Sequence, residues 1–300
     1  MQPRKIHDVD RSSWLRYAVV WLIGLDVRIT LLAVPPVLPL IHRDLQLTET
    51  QVAVLSGLPV ILLAAGALPG SFLIARNGAR RTAIAGIVLT GTAASLRGTG
   101  PSLGMLFSMT FLMGIGIAIT QPAVPSLIGR WFPERVAAGT ALYTNGLLVG
   151  EILSASLTLP VILPLFGGGW GSSFAFWGAL VLLAALAIIW LSRTLPDTAG
   201  NPEARWRPDW TKAETWQLGL LMGGLTAAYF GANAFIPDFL RTAGRPELIA
   251  IVLAVLNVSQ LPASLVGAVA GPNLIGRRQP LLALAAAIFV GVGMFVIARN

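Results

Sequence analysis

The stretch GSFLIARNGARR, residues 70–81, decides how this chain is read, because it is a short basic turn between two long apolar runs. Arg76, Arg80 and Arg81 surround the helix breaker Gly78, and hydrocarbon rejects guanidinium groups. Cytoplasmic loops of membrane proteins carry the excess of Lys and Arg, so this turn separates inside from outside. A related stretch, GPNLIGRR at residues 271–278, recurs about two hundred positions later between another apolar pair. The chain therefore reads as internally duplicated.

Composition fixes the class. With 55% apolar residues, 11% charged and a mean hydropathy of +0.75, a 300-residue chain has more apolar surface than a soluble core can hide. The expected fold is an all-α membrane protein. The formal charge of +8 does not point to nucleic acid, because the basic residues stand in short clusters between apolar runs, not as a stripe interleaved with aromatics. The absence of cysteine excludes disulfides, thiolate catalysis and Cys-ligated metals. His7 and His42 are far apart in the chain, so no metal site is expected. No nucleophile–base set or phosphate-cradling loop suggests an enzyme, and no cofactor is implied. Residues 1–13 are too charged for a signal peptide and read as a cytoplasmic tail.

A hydrocarbon core of ~30 Å needs about 20 apolar residues per helix. Cutting at the charge and Gly/Pro clusters leaves nine candidate spans, at 14–41, 51–74, 82–99, 102–128, 137–164, 172–194, 214–240, 248–275 and 280–298. With the tail inside, fifteen basic residues fall on the inner side: Arg4, Lys5, Arg11, Arg16, Arg76, Arg80, Arg81, Arg130, Arg135, Arg193, Arg205, Arg207, Lys212, Arg277 and Arg278. Five, Arg43, Arg97, Arg241, Arg245 and Arg299, fall outside, and Arg28 stays within a helix. That bias places the amino terminus in the cytoplasm. The polar stretch 196–213 reads as a cytoplasmic linker between a six-helix bundle, 14–195, and a partial second bundle of three helices, 214–300.

Arg28 lies about 12 residues into its helix, roughly 18 Å deep, beyond easy snorkelling. Such a charge faces a bundle interior or a wet cavity. Asp26 is two residues away, about 200° around the helix, so the two side chains point apart. Glu151 reaches a similar depth in the fifth helix, on a polar stripe with Thr144, Ser154 and Thr158. Two readings stay open. Arg28 and Glu151 form a permanent ion pair between helices, or Arg28 grips a small anion while Glu151 competes for the arginine or takes a proton. Asp26 is a second proton-coupling candidate, its bland alternative being a bond to a neighbouring hydroxyl or indole. Arg97, near the outer end of the third helix, is expected to snorkel to water. Pro35, Pro36, Pro39, Pro122, Pro125 and Pro262 are expected to bend their helices.

Several of these residues stand in stretches that resemble the major facilitator superfamily, and within it the branch of cyanate and 2-nitroimidazole transporter-like proteins. The superfamily's basic loop is matched by Gly70, Arg76, Gly78, Arg80 and Arg81, with Ala75 where an acid is usual. The branch is matched by Arg28, by Leu96 and Arg97, by GIGIAITQPAVPSLIGRWFPER at 114–135 and by ALYTNGLLVGE at 141–151. Gly169, Trp170 and Gly171 stand where the branch often has Gly-Trp-Arg, and the Gly-Pro of antiporters is missing from helix five.

The resemblance implies a major facilitator-type bundle, a gating role for the basic loop, and a cavity lined by helices one, four and seven, with helix five facing helix eight. Gln121, Tyr229, Asn233, Asn257 and Gln260 then join Arg28 and Glu151 as candidate solute ligands, and Asn145, a polar residue within the fifth helix, is a further candidate. For these residues, as for Tyr143, the alternative is a cross-helix bond worth about 0.6 kcal/mol. The implied activity is secondary active transport of a small anionic solute across a bacterial inner membrane by alternating access, with symport through Glu151 or Asp26. Family members have twelve helices, so the alternative is a non-transporting membrane scaffold or a truncated carrier remnant that pairs with another chain. The expected partners are the solute and the lipid bilayer. Oligomeric state is not legible.

Overall fold

The computed structural model describes residues 11–100, 102–195, 208–245 and 248–262, and the side chains of Asn233 and Asn257 lie outside the described residues. The tail up to residue 10, the linker stretch 196–207, the repeat of the basic turn at 271–278 and the ninth span at 280–298 also lie outside them. Every regular element among the described residues is helical.

The first predicted helix is two helices, α1 (Arg11–Leu32) and α2 (Val34–Leu45), broken at Ala33. Pro35 and Pro36 have no N–H, so the carbonyls of Leu31 and Leu32 lose their intrahelical donors and the helix bends there. Gln46 ends α2 in the left-handed region at φ 47°. Thr48 then starts α3 (Glu49–Asn77) with a reciprocal cap, its hydroxyl accepting from the Gln51 N–H while the Gln51 side chain accepts from the Thr48 N–H.

One residue, Gly78, joins α3 to α4 (Ala79–Leu96) at φ 85°, a conformation that a side chain would strain. Ser102 caps α5 (Leu103–Trp131), which continues through Pro122 and Pro125. α6 (Val136–Leu157) passes into a π-helical turn, Thr158–Ile162, and the short α7 (Leu163–Leu165). Pro160, which cannot donate, sits inside that turn, and π turns accommodate such a missing bond. α8 (Trp170–Ser192), α9 (Ala213–Thr242) and α10 (Ile249–Val258) follow.

Among the described residues, five spans are long and apolar enough to cross a membrane: Ser13–Leu45, Glu49–Asn77, Leu103–Trp131, Val136–Leu165 and Trp170–Ser192. The 18-residue α4 opens with Arg80 and Arg81 and is not among the five.

The broadest helix contacts are those of α1 with α6 and of α4 with α5. Both are lined by glycine. A Cβ at Gly146 would lie 2.3 Å from the Trp21 carbonyl oxygen and one at Gly150 2.4 Å from that of Leu25, so α1 and α6 touch backbone to backbone. Gly86 and Gly116 do the same between α4 and α5.

Arg97 does not snorkel. It is 1% exposed, its guanidinium lies 3.8 Å from the Phe174 ring centroid, and its Nη2 donates to the Thr30 carbonyl at 3.4 Å. A cation at the carboxyl end of α1 complements the helix dipole, and the aromatic face adds a second attraction.

Candidate functional site

Arg28 stands at the middle of the Ser13–Leu45 span and Glu151 at the middle of Val136–Leu165. The glycine contacts of α1 with α6 hold the two helices close enough to bring both groups to one level. Tyr229, in α9, connects them. Its hydroxyl donates to Glu151 Oε1, and its ring centroid is 5.9 Å from Arg28 Cζ. Gln260, just beyond α10, hydrogen-bonds the Tyr229 side chain and donates Nε2 to the Leu256 carbonyl at 3.4 Å. Four residues singled out from the sequence, Arg28, Glu151, Tyr229 and Gln260, thus come together where α1 and α6 meet the later helices.

The burial of these groups differs. Glu151 is 2% exposed, whereas Arg28 and Tyr229 are half-buried. An ion pair within 4 Å joins Arg43 to Asp44, at the end of α2. Arg28 and Glu151 are related through Tyr229, whose phenol donates to the carboxylate and whose ring faces the guanidinium.

Other candidates lie elsewhere. The Asn145 Oδ1 accepts from Trp21 Nε1 at 2.9 Å, a bond between α6 and α1. Gln121 is exposed on α5 and takes no part in the Tyr229 cluster. Asn233 belongs to α9 and Asn257 to α10, but their side chains lie outside the described residues. The outer part of the polar stripe is taken up by packing. The Ser154 hydroxyl donates to the Gly150 carbonyl at 3.0 Å, Thr158 donates to the Ser154 carbonyl, and Trp177 Nε1 donates to Thr158 Oγ1 at 2.9 Å.

Asp26 points away from Arg28, as helix geometry requires. It is 1% exposed, and neither carboxyl oxygen has a hydrogen-bond partner among the described residues, so the expected hydroxyl or indole is not there.

The basic turn is organised around Arg80. Its Nη1 donates to the carbonyls of Ser192 at 2.8 Å and Leu195 at 3.1 Å, capping the carboxyl end of α8. Arg16 does the same for α5 at the Trp131 carbonyl, at 3.2 Å. Arg76 and Arg81 are exposed, and Gly70 packs against Pro122 of α5.

Tyr143, which the sequence left open between a cross-helix bond and a ligand role, was not among the candidate solute ligands. Its hydroxyl is buried and has no hydrogen-bond partner among the described residues. Its place on α6, two turns before Glu151, was the available signal.

A helical chain with several membrane spans and a charged cluster halfway along two of them defines a multi-pass membrane protein built around an interior polar site. The chain belongs to the Major Facilitator Superfamily, whose family profile matches residues 18–300. It is 28% identical to the cyanate transport protein CynX of Escherichia coli (strain K12), over 89% of this chain and 69% of that protein. It is 27% identical to the 2-nitroimidazole transporter of the same organism, over 77% of this chain and 58% of that protein. Its fold is similar to the crystal structure of a mutant peptide transporter POT in complex with sulfate, with a TM-score of 0.52 and 16% identity. That match covers 79% of this chain and 48% of the other. The chain thus spans about half to two thirds of the length of the proteins it matches.

Proposed function

We propose that this chain is a secondary transporter that moves a small anion across a bacterial inner membrane by alternating access, with its amino terminus in the cytoplasm. The observation that carries the reading is Arg28, a half-buried residue at mid-span, beside a phenol that a buried carboxylate holds in place. A cation is retained at that depth, at a cost of about 2.5 to 3.5 kcal/mol on insertion scales, where it meets a solute or an ion. Arg28 anchors the anion, and Tyr229 and Glu151 rearrange as it binds. Gln260 steadies the phenol from the other side. The similarity to CynX favours a small linear or planar anion of the size of cyanate. Proton coupling is assigned to Glu151, which touches the site, or to Asp26, which does not.

Uptake of radiolabelled cyanate into proteoliposomes tests the reading. The expected result is saturable flux, with Arg28→Lys losing at least tenfold while membrane abundance stays within a factor of two, because a point charge cannot replace the planar fork. Equal loss of abundance and flux would return Arg28 to a structural role. No saturable flux for cyanate, nitrate or small carboxylates would favour the scaffold reading.

A further inference from the structure

We infer that the hydroxyl of Tyr143 is a second ligand for the anion held at Arg28, and so helps determine which anions bind. The inference rests on the reading of Arg28 as the anion anchor.

Tyr143 is 8% exposed, and its hydroxyl has no hydrogen-bond partner among the described residues. Buried hydroxyls nearly always have a partner, and one without is explained by a water or a ligand not yet bound. The location favours a ligand. Gly24 lies one helical turn before Arg28, on the same face of α1. A Cβ there would sit 2.4 Å from the Tyr143 carbonyl oxygen and 3.1 Å from its ring Cδ2, so the tyrosine is pressed onto α1 one turn from the position of Arg28.

The donors and acceptors also sort themselves. Glu151 Oε1 is taken by Tyr229. Tyr143 adds a neutral O–H from α6, the helix that also supplies Glu151, and a phenol can donate to an acceptor-only anion without bringing a second charge. A guanidinium fork with one further O–H suits a polyatomic anion carrying at least two acceptor atoms, such as cyanate, nitrate or a small carboxylate. A site built to hydrogen-bond its solute rejects analogues that lack the acceptor.

The test is isothermal titration of the purified 300-residue chain in detergent with sodium cyanate, sodium nitrate and sodium formate, alongside melting temperatures of the empty protein. Tyr143→Phe removes only the oxygen. It is expected to weaken binding at least tenfold, since bonds to charged partners are among the stronger ones. The melting temperature of the empty protein should stay the same or rise, because no bond is lost there. Wild-type affinity in Tyr143→Phe, with binding abolished in Arg28→Gln, would overturn the role of Tyr143 and leave the Arg28 anchor standing. A fall of several degrees in melting temperature matching the loss of affinity would make the hydroxyl structural and also overturn it. Binding of none of the three anions by the wild type would sink the anchor and this inference together.

Discussion

Tyr229 donates its hydroxyl to Glu151 while its ring faces Arg28, with the centroid 5.9 Å from Cζ. One side chain from a late helix thus contacts both charges that α1 and α6 bring to the middle of their spans. Its hydroxyl and its ring perform separable tasks.

Tyr229→Phe keeps the ring beside Arg28 and removes the donor to a carboxylate that is 2% exposed. The cost should be about 1.5 to 3 kcal/mol, the range for hydrogen bonds to charged groups. Glu151→Gln alone should cost less. In a double-mutant cycle read by thermal melting in detergent, the two changes should couple by about 0.5 to 3 kcal/mol. Strict additivity would show that the bond contributes nothing.

Asp26→Asn should fold and reach the membrane at wild-type levels. Neither carboxyl oxygen has a hydrogen-bond partner among the described residues, so the amide replaces no hydrogen bond. If Asp26 carries the coupling proton, solute counterflow, which needs no net proton movement, should survive in Asp26→Asn. Accumulation driven by an imposed pH gradient should be lost. Loss of both, or of neither, would assign coupling elsewhere, with Glu151→Gln the next variant to assay.

Gly146→Leu should abolish a stably folded protein, because even its Cβ would stand 2.3 Å from the Trp21 carbonyl oxygen, and backbone cannot step aside. Gly57 is the control. A Cβ there meets nothing within 4 Å, so Gly57→Ala should be tolerated and can gain up to about 1 kcal/mol from helix propensity. Size-exclusion profiles of the two variants would separate the outcomes.

Arg80→Gln should loosen the carboxyl end of α8, since two carbonyl caps at 2.8 and 3.1 Å disappear. Limited proteolysis should then cut near Arg193, and stability should fall by about 1 to 3 kcal/mol. Arg76→Gln, at an exposed position, should change stability by less than about 0.5 kcal/mol. Equal sensitivity at both arginines would mean that the caps are not what makes Arg80 matter.

Some of this was readable along the chain. Runs of apolar residues mark the spans because lipid demands length and hydropathy, both local properties. Asp26 and Arg28 had to face apart because about 100° per residue is a property of every α-helix. Gly78 had to end a helix, and the prolines at 35 and 36 had to break one, although the position of the break at Ala33 emerged only in the fold.

Partnership was a different matter. That Asn145 meets Trp21, that Arg97 is sealed against Phe174 at the end of α1, and that Tyr229 reaches Glu151 depend on which helices pack together and at what rotation. Periodicity says which residues share a face, not which face of which distant helix will meet it. The arginine halfway through the first span was therefore visible from the sequence alone. Only the tertiary structure decided that Tyr229 lies between it and Glu151, because the contact joins residues 78 positions apart on helices whose packing no local pattern fixes.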